Sequence, residues 1–166
     1  MKLDGEFLRL PAVRFERLLP GPIDRVWSHL TQCEELVAWY GPAGVIEPRE
    51  GGRVELMDGH VRGVVTQWRP PSRLAYSWNV FAAGQARSAY PESYLDFDLA
   101  VAGAAVKLTL VHQPVLEQFE AQNAMGWHSY LDMLRAKLLG DEVQARGVYM
   151  EKNATLYGVD LNNLVR

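Results

Sequence analysis

Between residues 94 and 112 the chain alternates with a period of two. Leu95, Phe97, Leu99 and Val101 oppose Tyr94, Asp96, Asp98 and Ala100; after Gly103, Val106, Leu108, Leu110 and His112 oppose Lys107 and Thr109. Successive side chains of a strand point to opposite faces, so this is a hairpin of two antiparallel strands with one apolar face that must be covered. After Pro114 the period becomes helical. Trp127, Leu131, Leu134 and Leu138 recur at spacings of four, three and four, with Gly140 as the expected C-terminal cap. A sheet face followed by a helix stripe is expected to bury it, which makes the chain α+β.

Upstream, Val13 and Phe15 against Arg14 and Glu16 mark a first strand over residues 12–19, ended by Pro20. Gly21-Pro22 is expected to open a short helix, with Pro at the first helical position and Ile23, Val26, Trp27 and Leu30 on the inner face. Thr31-Gln32-Cys33-Glu34 fits a capping box for a second short helix that runs through Leu36, Val37 and Trp39 and stops at Gly41-Pro42. About five strands follow from residue 50. Among them Asp58-Gly59 is read as a hairpin turn with positive φ at both central positions, and Leu74, Tyr76, Trp78 and Val80 face away from Ala75, Ser77 and Asn79.

A chain of 166 residues, 48% of them apolar, is long enough for one domain with a sizeable core, expected over residues 1–140. Residues 141–166 keep Tyr149, Leu156, Tyr157, Leu161 and Leu164, too apolar for a solvated tail. This extension is expected to dock on its own domain or to exchange with a second copy in a two-fold homodimer.

Charge and motifs exclude several classes. Seventeen Lys and Arg against 20 Asp and Glu give a net charge of −3 with no basic run, so no nucleic-acid partner is expected. No apolar run reaches the ~18 to 20 residues of a membrane span, and Met1–Glu6 carries acids rather than a signal peptide. A single cysteine, Cys33, cannot close an intramolecular disulfide or build a structural zinc site, so the expected compartment is cytoplasmic, with no metal and no cofactor. There is no Gly-x-Ser-x-Gly elbow, His-Glu-x-x-His pair, phosphate-binding loop or dinucleotide fingerprint, and no catalytic residue is assigned. Asn153-Ala154-Thr155 matches the glycosylation pattern by coincidence.

Six segments in order carry a family resemblance: Pro22-Ile23-Asp24-Arg25-Val26-Trp27, Trp39-Tyr40-Gly41-Pro42-Ala43-Gly44, Gly51-Gly52-Arg53, Pro70-Pro71-Ser72-Arg73-Leu74 running to Trp78, Leu108-Thr109-Leu110-Val111-His112, and Gly126-Trp127 with Leu131 and Leu134. Over residues 12–140 the chain resembles the activator of heat-shock protein 90 ATPase homologue-like family, within the SRPBCC or START-like superfamily. The resemblance implies the helix-grip fold, also called birch-pollen-allergen-like. In it a curved antiparallel sheet wraps around a long C-terminal helix, two short helices follow strand one, and a cavity lies between sheet and helix. The superfamily hosts binders, cyclases, transporters and co-chaperones, so fold alone does not choose among them.

The expected function is therefore binding of a small hydrophobic or aromatic molecule, with a chaperone-directed co-chaperone and a cyclase or hydrolase as alternatives. Candidate ligand-binding residues are Tyr40, Tyr76, Trp78, Phe97, Leu99, Leu110 and His112, facing Trp127, Tyr130, Leu131 and Leu134 from the helix. The same side chains would also serve as ordinary core. His112 is the one candidate for orienting a ligand or shuttling a proton. His29, His60 and His128 are expected at the surface or edge, Cys33 is expected to be buried and inert, and residues 81–91 form a long loop that would cover the pocket, with Arg87 placed to meet an acidic ligand.

Overall fold

The computed structural model describes Gly5, residues 10–42 and residues 44–166. The Met1–Glu6 reading, apart from Gly5, and Ala43 of the Trp39–Gly44 segment lie outside the described residues. The elements are β1 (Val13–Pro20), α1 (Ile23–Thr31), α2 (Cys33–Leu36), β2 (Val45–Ile46), β3 (Arg53–Leu56), β4 (Val61–Arg69), β5 (Arg73–Val80), β6 (Ser93–Ala102), β7 (Ala105–Gln113), a 3-10 turn at Glu117–Phe119, α3 (Glu120–Leu139) and α4 (Arg146–Tyr157). The seven strands form one antiparallel sheet in the order β1-β7-β6-β5-β4-β3-β2, which puts the first strand beside the last. With α3 on its apolar face, this is the helix-grip arrangement.

The β6–β7 register pairs Leu95 with His112, Phe97 with Leu110 and Leu99 with Leu108, so the alternation places one continuous apolar face against α3. Val101 is the exception: at the far end of the hairpin it is 67% exposed. The five strands expected from residue 50 are β3 to β7; the additional two-residue β2 before them is too short to leave a periodic trace. In β5, Ala75 and Ser77 are buried as well as Leu74 and Tyr76, so alternation fails there. Ser77 accepts the Val64 N–H at 2.9 Å, and β4 is irregular between Val65 and Gln67.

Three local expectations are corrected. Pro22 is the N-cap of α1, in extended conformation, rather than its first helical residue. The capping box does not form: Thr31 ends α1 and donates its hydroxyl to the Trp27 carbonyl, while Gln32 caps α2 without a side-chain bond. Buried at the junction of two helices, Thr31 satisfies its own hydroxyl locally. The β3–β4 turn is longer than a two-residue hairpin, since Leu56 pairs with Val61 and positive φ extends over Met57, Asp58 and Gly59.

Helix α3 is covered on two sides. Trp127, Leu131, Leu134 and Leu138 are buried with the sheet core, while Met125, Ser129 and Met133 are also buried. Helix α4 packs on α3: Asn153 is buried and donates to Ser129 Oγ at 3.1 Å and Asp132 Oδ2 at 3.2 Å, and Tyr157 contacts His128 at 2.8 Å. Asn153→Ala leaves the Ser129 hydroxyl without this buried donor and is expected to cost about 1 to 2 kcal/mol in chemical denaturation. Helix α1 closes the other end, where Arg25 donates to the Leu138 carbonyl at 2.8 Å in the last turn of α3.

Candidate ligand site

The site starts from a cross-strand pair. Trp78 near the end of β5 lies opposite Ser93 at the start of β6, and His112 near the end of β7 lies one step away across Leu95. Three strands thus deliver an indole, a hydroxyl and an imidazole to one end of the sheet. Helix α3 presents Asn123, Trp127 and Tyr130 toward that end at four- and three-residue spacing.

His112 joins the two layers. Its Nδ1 accepts the Trp127 indole N–H at 3.1 Å and the Asn123 amide at 3.1 Å. An indole nitrogen only donates, so Nδ1 is unprotonated and the proton sits on Nε2, which donates to Ser93 Oγ at 2.8 Å. The Ser93 hydroxyl then points to the Trp78 carbonyl at 3.4 Å. Burial pushes the imidazole down to about 4, against the opposing effect of Asn123, so it is neutral near pH 7. With both nitrogens engaged inside the protein, His112 locks the sheet to the helix, and proton shuttling would require breaking these bonds.

Around this lock lies an aromatic cluster. The Tyr40 ring, placed by the turn after α2, stacks on Tyr130 at 5.2 Å with 21° between planes, and lies 5.8 Å from Trp127. Trp78 is 5.6 Å from Trp127 and 5.3 Å from His112. Tyr40 and Tyr76 share a hydrogen bond at 3.3 Å, and burial raises the pKa of both hydroxyls, Tyr40 further helped by its tyrosine neighbours. These rings stay neutral, apolar walls with polar tips.

Two clefts open on either side of Trp78. The narrower, about 260 Å³, is lined by Trp78, Tyr90, Ser93, His112, Phe119 and Asn123 among others. The wider, about 390 Å³, is lined by Tyr40, Met57, Trp78, Gly126, Trp127, Tyr130 and Arg146 among others. Trp78, Val80 and Asn123 border both. The Asn123 Oδ1 is buried without a hydrogen-bond partner in the structure, an acceptor beside both clefts.

The expected site residues divide into two sets. Tyr40, Trp78, His112, Trp127 and Tyr130 line the clefts. Tyr76, Phe97, Leu99, Leu110, Leu131 and Leu134 lie below them in the packed core, and none lines either cleft. Arg87 is exposed in the 81–91 loop and borders neither, whereas Tyr90 and Pro91 of the same loop wall the narrower one. Trp39 is core, donating its indole N–H to the His29 carbonyl at 2.8 Å. His29 is buried rather than at an edge, held by the Arg25 carbonyl and facing Glu35 at 3.1 Å. Cys33 is half-buried at the start of α2. His60 is exposed as expected, and His128 is half-buried between Phe15 and Tyr157.

Ser93, Asn123 and Arg146 escape the sequence reading, and Gly126 is named there only within the Gly126-Trp127 segment and not as a site residue. Asn123 was detectable in principle, four residues before Trp127 on one helical face; Arg146 depends on where α4 docks, which no local pattern reports.

Residues 20–138 match the sequence profile of the activator of Hsp90 ATPase homolog 1-like proteins, most of the chain. The chain belongs to this family. Solved structures agree on the fold of this Hsp90 ATPase activator homologue-like chain. CalU16 from Micromonospora echinospora is 24% identical with a TM-score of 0.69, over 89% of this chain and 86% of that one. The protein of gene BPP1335 from Bordetella parapertussis is 25% identical with a TM-score of 0.68, over 95% and 93%. The Aha1 dimer from Colwellia psychrerythraea is 15% identical with a TM-score of 0.64, over 78% and 96%. No curated protein matches the chain. Among the described residues no cluster of His, Cys, Asp and Glu is arranged to hold a metal ion, and no helix is long and apolar enough to cross a membrane.

Proposed function

We propose that this member of the family binds a small aromatic or hydrophobic molecule in the clefts beside Trp78. The observation that carries the reading is the combination of aromatic walls with an internally satisfied His112 and an unpartnered Asn123 acceptor at their common border. Small-molecule sites are concave and mostly apolar with a few fixed polar groups, and preorganised groups bind without an ordering cost. His112, Ser93 and Trp127 act by fixing the walls. Asn123 borders both clefts, and a turn of its amide would bring the buried Oδ1 out to accept a hydrogen bond from a ligand hydroxyl.

Naphthol, flat and carrying one hydroxyl, is a suitable probe. It should bind one-to-one in native mass spectrometry and raise the unfolding temperature, with Trp78→Ala weakening binding about tenfold through loss of aromatic contact. No adduct and no thermal shift at concentrations near naphthol's solubility limit would contradict the proposal. The family match also supports a second reading, an accessory role toward a heat-shock chaperone, in which exposed apolar residues such as Leu18 and Val101 make the contact. That role predicts chaperone binding that is lost on Leu18→Asp and untouched by Trp78→Ala.

A further inference from the structure

We infer that the wider cleft selects a flat aromatic molecule carrying a carboxylate, and that Arg146 of α4 reads that charge. The inference rests on the ligand-binding reading above and adds a chemical class to it. Arg146 lies outside the 20–138 segment that defines the family, so this chain's extension supplies the one Arg or Lys that borders the cleft among the described residues. Its Nη1 donates to the Tyr130 hydroxyl at 2.7 Å and its guanidinium carbon lies 4.9 Å from the Tyr130 ring centroid. Tyr130 and the Met150 sulfur, which faces Nε at 3.3 Å, hold the group in place. Among the described residues no carboxylate lies within ion-pair distance of Arg146, and its Nη2 has no partner. A guanidinium held through Nε and Nη1 keeps Nη2 free to donate to a carboxylate, and none of the residues lining the cleft is acidic.

The floor of the cleft supplies the second observation. Gly126 lies in the interior of α3, where glycine costs about 1 kcal/mol relative to alanine. At Gly63 the packing does demand a glycine, since a Cβ there would run into the Ser77 carbonyl. A Cβ on Gly126 would meet no atom within 4 Å. The protein's own packing does not require this glycine; it leaves bare helix backbone in the cleft, between Trp127 and Asn123. With the stacked Tyr40 and Tyr130 rings as a wall, the space is a slot for a planar ring, with Arg146 beside Tyr130 at its rim.

Naphthoate and its neutral amide, naphthamide, have the same ring and differ in charge. In calorimetric titrations the wild-type protein should bind naphthoate about fivefold more tightly. Arg146→Gln should remove this preference while leaving naphthamide affinity unchanged, a readout that a merely structural role for Arg146 would not give. Gly126→Leu should abolish binding of both while the unfolding temperature stays within a few degrees; if that variant does not fold, Arg146→Gln alone decides the matter. Equal binding of the two probes by the wild type, or a preference that survives Arg146→Gln, overturns the inference and leaves the ligand reading standing. Failure of both probes to bind overturns both.

Discussion

Lowering the pH from about 6.5 to about 4 should cost this protein roughly 3 kcal/mol of stability through His112 alone. The imidazole is held neutral by burial, with its proton affinity pushed down to about 4, while in the unfolded chain it takes up a proton near its ordinary value. The unfolded state therefore binds more protons throughout that window. The contribution is fully present above about pH 6.5 and is lost as the pH falls through the folded value. His128, lowered mainly by partial burial, acts in the same direction. At neutral pH, His112→Gln should itself be destabilising by about 2 to 3 kcal/mol, because Trp127, Asn123 and Ser93 cannot all keep their partners. Its stability should nevertheless vary less with pH, so that the two proteins converge near pH 4. Urea denaturation at a series of pH values measures both. Parallel profiles would mean that His112 is not the neutral lock described here.

Gly63→Ala should destabilise the protein by at least about 3 kcal/mol. The added Cβ would fall 1.8 Å from the Ser77 oxygen and 2.7 Å from its carbonyl carbon, both backbone atoms. Ser77 has little room to retreat, since its hydroxyl holds the Val64 N–H and its other edge pairs with Tyr94. Any retreat moves Trp78, the next residue, and so disturbs the site. Gly126→Ala provides the opposite control: with nothing within 4 Å it should stabilise α3 by about 0.5 to 1 kcal/mol. Similar effects of the two substitutions in thermal and chemical denaturation would contradict the packing described.

The fold was legible where periodicity was strong. Alternation over residues 94–112 and the Trp127-Leu131-Leu134-Leu138 stripe define the face and the helix that cover each other, and both are found as read except at Val101. What failed was chemistry that depends on tertiary position. Thr31 has the residues of a capping box but spends its hydroxyl on its own helix, and His29, beside a tryptophan on a short helix, is buried by the packing of α1 against α2. In β5, Ser77 is buried because its hydroxyl serves the irregular β4, which a two-residue period cannot report.

The candidate site was half legible. Aromatic side chains facing inward could be named from the sequence, yet burial alone does not separate wall from core. Tyr76, Phe97 and Leu110 lie on the same face as Trp78 and His112, but they belong to the buried core and border neither cleft, whereas Trp78, Ser93 and His112 reach the clefts beside the first turns of α3. Ser93 and Asn123 become visible only through the register that sets them against Trp78 and His112. Arg146 required knowing where α4 docks.

The central claim is that a ligand sits beside Trp78 and not in the layer between Leu110 and Leu134. Chemical-shift mapping of labelled protein with naphthol tests it most directly. The account predicts that the indole N–H signals of Trp78 and Trp127 and the amides of Asn123 and Gly126 move in proportion to binding, while the methyl signals of Leu99, Leu110, Leu131 and Leu134 stay in place. Movement of those leucine methyls with still indoles, or no movement at saturating naphthol, would contradict it.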